Sequence, residues 1–304
     1  TGIKQQMLDV HGNKMKITVI GAGAIGIVLA AALDTKNEVS VLVKPENYNR
    51  LAKKGLWIIE GDEKRKIKAK IVTKVIDSEI VIIAVKGYDL QNTKKLLDRF
   101  TGMVLICQNG LKMLDFNLSN KNEIYSIVTS IGATSSELGV SEFKGTGKTI
   151  VGGLLNVNKE SNKISDLFSS YYFDVYHSED IKKHIWLKAA INSAINPIAS
   201  YHNLKNGELK REEYWSQVKK LLAESVSIAN SNGINFNNNP LDLAEEIIKK
   251  TADNFCSMLQ DIKKGKKTEI NEINGILYEM GKKQNINAKL NLQYLKKIKT
   301  LVDT

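Results

Sequence analysis

Lys188, Asn192 and Asn196 recur at a spacing of four within Trp186-Leu187-Lys188-Ala189-Ala190-Ile191-Asn192-Ser193-Ala194-Ile195-Asn196-Pro197. In a helix, residues four apart share a face, so an amine and two amides form one polar ridge on an otherwise apolar helix. Buried polar groups need partners, and a bound polar ligand can supply them. A lysine can stabilise negative charge developing on a carbonyl oxygen and can also give it a proton, and its pKa responds readily to burial. A second polar group follows at Asn254, Ser257 and Asp261, the i, i+3, i+7 spacing of one helical face. A third is Thr268-Glu269-Ile270-Asn271-Glu272-Ile273-Asn274-Gly275. Each group alone reads as an exposed polar face; several together in one helical region read as a site.

The partner of that chemistry is indicated near the N-terminus. Gly21-Ala22-Gly23-Ala24-Ile25-Gly26 follows a short apolar run, Lys16–Ile20, and opens a helix-like run, Ile25–Leu33. The first glycine permits a tight turn, the second lets backbone approach a pyrophosphate, and the third lets helix pack on strand, with the helix N-terminus facing the phosphates. A second strand, Glu38–Val43, ends in Lys44. A carboxylate there would hold ribose hydroxyls, whereas a cation suits a 2′-phosphate, so Lys44 favours NADP over NAD. Glu46 lies close by, and a merely solvated Lys44 is the alternative. Gly145-Thr146-Gly147-Lys148-Thr149 resembles an ATP-binding loop, but position 142 is Glu142 where that motif requires glycine, and Ile150-Val151-Gly152-Gly153 reads as a strand.

These groups must be held by two kinds of framework. Glu79–Val85, Val104–Cys107 and Ile124–Val128 read as buried parallel strands, with a helix near Leu90–Phe100. After about residue 178 the strand signals stop, and Ile181–His202, Arg211–Asn232, Leu241–Leu259, Glu269–Gln284 and Leu292–Val302 read as helices. Asn232-Gly233 marks a helix stop, and Pro197 is expected to kink or end the first helix near Asn196. The expected organisation is α/β: an appended tail over 1–14, a Rossmann-type parallel-sheet dinucleotide domain over 15–178, and an all-helical substrate and catalytic domain over 179–304.

With 304 residues, 42% hydrophobic, the chain is long enough for two cores. No run reaches the roughly 18 apolar residues of a membrane helix, and residues 1–14 lack a signal-peptide core. Two cysteines, Cys107 and Cys256, make neither a disulfide framework nor a metal spacing. A reducing, cytoplasmic setting is therefore expected. The net charge of +11 is spread over both halves with acidic residues interleaved, which argues against nucleic acid and suits small anions such as a nucleotide phosphate or a carboxylate. His177 and His184, seven apart, could share a helix face, but no third metal ligand lies at a recognisable spacing, and no metal is expected.

The chain resembles the ketopantoate reductase (2-dehydropantoate 2-reductase) family from Met15 almost to its end. The resemblance rests on the Gly21–Gly26 loop, Val85-Lys86-Gly87-Tyr88, Gln108-Asn109-Gly110, and Trp186-x-Lys188-x3-Asn192-x3-Asn196-Pro197. It continues in Ser257-Met258-Leu259-Gln260-Asp261 and Thr268-Glu269-Ile270-x3-Asn274-Gly275. It implies NADPH and ketopantoate in a cleft between the two domains. It makes Lys188 the general acid and gives Glu269 a catalytic and binding role, and it assigns Asn109, Asn192, Asn196, Asn254 and Ser257 to substrate. Lys86 is placed near the cofactor, with Asn109 and Glu269 also facing it. Many members have arginine where Lys44 stands; the alternatives are a reductase of the same architecture for another 2-keto acid and a non-catalytic NADP-sensing module. The expected partner is a small keto acid, bound by a monomer or a homodimer.

Overall fold

In the computed structural model, which describes residues 14–118, 122–157, 164, 167, 168 and 171–302, the aliphatic runs of the first half pair side by side. The expected tail, apart from Lys14, lies outside the described residues. An eight-stranded sheet has the order β12-β11-β8-β7-β6-β1-β2-β5. Its strands are β1 (Lys16–Ile20), β2 (Glu38–Leu42), β5 (Ala69–Val72), β6 (Ile80–Ile83), β7 (Met103–Ile106), β8 (Ile124–Thr129), β11 (Gly147–Leu155) and β12 (Phe173–His177). All neighbours are parallel except β8 and β11, which pair antiparallel. The six strands from β5 to β8 follow the 3-2-1-4-5-6 order of a doubly wound dinucleotide fold, which binds its ligand at the carboxyl ends of the strands.

A second sheet was not read from the sequence. It joins β3 (Trp57–Glu60), β4 (Glu63–Lys66), β9 (Gly132–Glu137) and β10 (Val140–Gly145) in the order β4-β3-β10-β9. This sheet packs on α1 (Ala24–Leu33), the first Rossmann helix. The second helix, α2 (Pro45–Lys54), follows Lys44 directly.

The C-terminal part is helical: α3 (Ile181–Tyr201), α4 (Glu212–Ser231), α5 (Pro240–Lys250), α6 (Ser257–Lys263), α7 (Ile276–Lys283) and α8 (Lys289–Val302). The long helix α3 walls both cores. Ile185, Trp186 and Ala189 pack into the core beneath the sheet, and Ala190, Ile191, Ala194 and Ile198 into the core of the helical part. Its polar ridge is thereby held at the junction. Among the described residues, no helix is long and apolar enough to cross a membrane.

Several expectations are corrected. Leu90–Phe100 is not an α-helix; Gly87–Leu97 winds as 3-10 turns, and within them Thr93 Oγ1 donates to the Leu90 carbonyl three residues back. Leu241–Leu259 is two helices, broken at 251–256. There two backbone carbonyls pair with another segment: Asn206 N donates to Asn254 O and Gly207 N to Ala252 O, both at 2.9 Å. Asn254 and Ser257 therefore do not share a helical face. The segment expected as a helix from Glu269 opens with a π turn at Asn271–Gly275, closed by Gly275 N donating to Ile270 O at 3.0 Å, and continues as α7. His177 ends β12 while His184 lies in α3, so the two histidines share no helix face.

Nor does α3 end at Asn196. It runs through Pro197 to Tyr201. Proline removes the N–H that would bond the carbonyl of residue i−4. That carbonyl, Ser193 O, instead accepts a hydrogen bond of 2.9 Å from Asn274 Nδ2 of the π turn.

Candidate active site

The glycine turn sits where the fold requires it. Gly21 N donates to Leu42 O at 3.0 Å, pinning the turn beside the end of β2. Gly21 has φ +112°, and a Cβ there would lie 2.9 Å from Ala84 O. At Gly26 a Cβ would fall 2.0 Å from Gly21 O, so this glycine lets α1 pack on the turn. A Cβ at Gly23 would meet nothing within 4 Å. Gly23 caps α1 without a side-chain hydrogen bond, and the first turn of α1 carries no acidic residue. An approachable backbone at an unneutralised helix N-terminus fits a pyrophosphate. Ala22, Ala24 and Ile25 complete this turn. Lys44 stands two residues beyond Leu42 and pairs loosely with Asp89 at 3.5 Å.

Beyond β6 and β7 the ends of two loops meet the helical part. Glu269, buried, accepts a hydrogen bond from Gly87 N at 2.9 Å on Oε1 and one from Asn109 Nδ2 at 3.3 Å on Oε2. Lys86 Nζ lies 2.6 Å from Asp261 Oδ2 and 3.5 Å from Glu269 Oε2. Burial alone would push the Lys86 ammonium down, but Glu269 and Asp261 together hold it above its ordinary value. Asp261 is pushed up by burial and by Glu269, against the pull of Lys86. This close approach depends on two glycines. A Cβ on Gly87 would lie 2.9 Å from Glu272 Cγ, and one on Gly110 would lie 2.5 Å from Glu272 O.

Lys188 projects from α3 to the carboxyl end of β8, where its Nζ donates to Thr129 O at 2.6 Å. Loss of solvation pushes its ammonium below the ordinary lysine value, against the weaker opposing pull of Cys107 and Glu269. Cys107, at the end of β7, is buried, and desolvation pushes its thiol up to about 11. Asn192 is half-buried and Asn196 buried on the same helix.

The structure thus brings Lys86, Asn109, Glu269 and Asp261 into one cluster, with Lys188 within the field of Glu269. Asn254 and Ser257 are exposed around the break before α6 and make no bond to the other candidates among the described residues. Sequence reasoning missed Thr129, whose contribution is a backbone carbonyl that no residue type announces. It also treated Asp261 as part of a polar face and not as the partner of Lys86. Among the described residues no three His, Cys, Asp or Glu side chains are grouped to hold a metal ion.

A glycine turn suited to a pyrophosphate after the first strand of a doubly wound sheet, with a desolvated lysine from the helical part at the carboxyl end of β8, marks the class of nicotinamide-dinucleotide-dependent oxidoreductases. The family model described as Ketopantoate reductase PanE/ApbA matches residues 17–156, and that described as Ketopantoate reductase PanE/ApbA C terminal matches residues 180–301. The chain belongs to the ketopantoate reductase family. A 2-dehydropantoate 2-reductase from Pyrococcus abyssi is 33% identical over 286 residues, covering 91% of this chain and 95% of the relative. The PanE/ApbA family ketopantoate reductase from Ralstonia eutropha JMP134 shares the fold with a TM-score of 0.86 at 21% identity, over 95% of this chain and 99% of that one. The complex of D-mandelate dehydrogenase with NADH does so with a TM-score of 0.85 at 23% identity, over 95% and 99%.

Proposed function

We propose that the protein reduces 2-dehydropantoate to pantoate with NADPH, using Lys188 as the proton donor. The observation that carries this reading is the ammonium of Lys188. It is desolvated, tethered by Thr129 O and within the field of Glu269 at the edge of a dinucleotide sheet.

The nicotinamide cofactor supplies a hydride to the ketone carbon. Residues 21–26 would hold its pyrophosphate and Lys44 its 2′-phosphate, with Lys86, Asn109 and Glu269 near the reacting end. The division of labour follows the two parts, 15–178 for cofactor and 179–304 for substrate and catalysis. An ammonium has three donors, and Thr129 O takes one. No other bond holds Lys188 among the described residues, so its remaining donors can meet the ketone oxygen, stabilise the charge that develops there and deliver a proton. Its lowered pKa makes that donation easier. Glu269 receives bonds from Gly87 N and Asn109, which fix its carboxylate while leaving acceptor capacity for the substrate's terminal hydroxyl. Asn192, Asn196, Asn254 and Ser257 offer neutral donors to the substrate carboxylate. The working species is a monomer or homodimer in the cytoplasm.

The test is to add ketopantoate to the purified protein with NADPH and follow the near-ultraviolet absorbance of the reduced cofactor. Rapid loss of absorbance is expected. Demonstrated NADPH binding without oxidation would leave the fold standing and overturn the substrate assignment.

A further inference from the structure

We propose that Asn274 is a positioning residue: it replaces the amide missing at Pro197 and so sets the spacing between the Lys188 helix and Glu269. The inference rests on the catalytic reading above and extends it to a residue that touches neither substrate nor cofactor.

The helix α3 contains a proline and does not stop there. Pro197 leaves Ser193 O without its intrahelical donor, and the pyrrolidine ring crowds that same carbonyl. Ser193 lies between the ridge positions, directly after Asn192, and is itself fully buried. Water cannot satisfy its carbonyl, and a buried unmet acceptor destabilises the fold. Asn274 Nδ2 reaches it at 2.9 Å and reaches Asn291 Oδ1 of α8 at 3.0 Å. Both asparagines are fully buried. Two acceptors on one nitrogen fix the amide's orientation, since a flipped group would set oxygen against oxygen. The orientation has a cost, because Asn274 Oδ1 is buried with no partner among the described residues. What Asn274 contributes is thus what its nitrogen donates.

The far side of the link is braced. Asn291 Nδ2 donates to Glu224 Oε1 at 2.9 Å and to Ser225 Oγ at 3.2 Å. Glu224 in turn accepts from the backbone N–H groups of Leu290 and Asn291 at 3.0 and 2.8 Å, capping α8 from the neighbouring helix α4. Ser225 Oγ pairs with Ser193 Oγ at 2.8 Å, closing the circuit on α3. Within the π turn, Glu272 lies against the Gly87 and Gly110 loops while Asn274, two residues on and so on the opposite side, bonds α3. Glu269 lies just upstream, with Ile273 N donating to its carbonyl at 3.1 Å. One amide therefore ties the backbone that carries the carboxylate to the backbone that carries the lysine.

The experiment is a cycle of wild type, Asn274→Ala, Pro197→Ala and the double variant, read by thermal melting and by ketopantoate reduction. In Pro197→Ala the new N–H can satisfy Ser193 O within α3, so Asn274→Ala should lower the melting temperature less there than in the wild-type background. Asn274→Ala is expected to lower kcat on the order of 10²-fold, the scale of a misplacement of about 1 Å. NADPH affinity, read by fluorescence titration, should stay within roughly twofold because the glycine turn is remote. The double variant should recover part of the lost kcat. Equal melting shifts in both backgrounds, or a wild-type kcat in Asn274→Ala, overturn the proposal. A wild type that binds NADPH but does not reduce ketopantoate overturns the catalytic reading instead, while the melting cycle still decides the bond.

Discussion

Lys86 Nζ lies 2.6 Å from Asp261 Oδ2, so a residue at the end of the nucleotide sheet is paired with one on a helix 175 positions later. Glu269 stands 3.5 Å from the same ammonium, which leaves one cation facing two carboxylates with side chains only 14% and 7% exposed. Removing the cation and removing a carboxylate are therefore unequal changes. Lys86→Met strands two buried negative charges; Asp261→Asn leaves a balanced pair. Lys86→Met should cost roughly 1–3 kcal/mol, below the ~3–5 of a fully buried pair because Lys86 is still 37% exposed. Adding Asp261→Asn should recover much of it. Urea melts of the two singles and the double check this, and a double variant less stable than Lys86→Met contradicts it.

If Lys188 is the proton donor as proposed, it serves chemistry at some expense to stability. Lys188→Ala should lower kcat by about 10²–10⁴ while NADPH affinity changes little, the range of a lost general acid. Near-normal turnover removes the assigned role. Lys188→Met should abolish turnover equally yet raise stability at neutral pH, by up to ~1 kcal/mol, because it removes a desolvated charge. The sign with pH follows from a folded pKa below the unfolded value of 10.5. The penalty is fully present below the folded value and disappears as pH rises toward 10.5. Melting curves of wild type and Lys188→Met should converge on going alkaline, and a gap that widens instead would refute the assignment.

The cofactor end and the parallel strands were legible because their signals are local. A glycine turn after an apolar run, and runs such as Ile80–Ile83 buried on both faces, are set by neighbours in sequence. The second sheet was not legible, since β4 is Glu63–Lys66, wholly charged, and β9 is mostly Thr, Ser and Glu. Those strands exist because β3 pairs with β10 across some eighty residues, with Val140 opposite Trp57. The site divides in the same way. Lys188, Asn192 and Asn196 follow a helical period and were found by it. The helical run Ile181–His202 was legible past Pro197, but the side chain 77 positions away that takes up the Ser193 carbonyl, and the bonds from residues 206 and 207 into the break at 251–256, leave no local trace.

In the proposed reading, Lys44 carries the cofactor preference. It stands just past the end of β2 and is 65% exposed on its side chain, with Asp89 3.5 Å away. Lys44→Asp would set a second carboxylate beside Asp89, where a 2′-phosphate is expected to sit. Like-charge repulsion at such range weakens NADPH but leaves NADH, which lacks that phosphate, nearly untouched. NADPH affinity should fall roughly tenfold or more relative to NADH. Titration of both cofactors against both proteins measures this, and a parallel fall in the two affinities would show that Lys44 does not read the phosphate.

Gly110 tests whether the loop after β7 is held against the helical part. It has φ +82°, and a Cβ there would lie 2.5 Å from Glu272 O, a backbone atom of the π turn. Gly61, with φ +58°, provides the control, because its Cβ would meet nothing within 4 Å. Alanine at Gly61 should cost only the left-handed backbone term, ~1–2 kcal/mol. Alanine at Gly110 should add an overpacking cost of ~1–3 kcal/mol. Since Leu111 N also donates to Glu272 O, at 3.4 Å, the clash displaces the turn that follows Glu269. Gly110→Ala should therefore raise KM for the keto acid as well as lower the melting temperature, whereas Gly61→Ala should leave KM unchanged. If the two variants melt alike and share the wild-type KM, the loop and the π turn are not in the contact described.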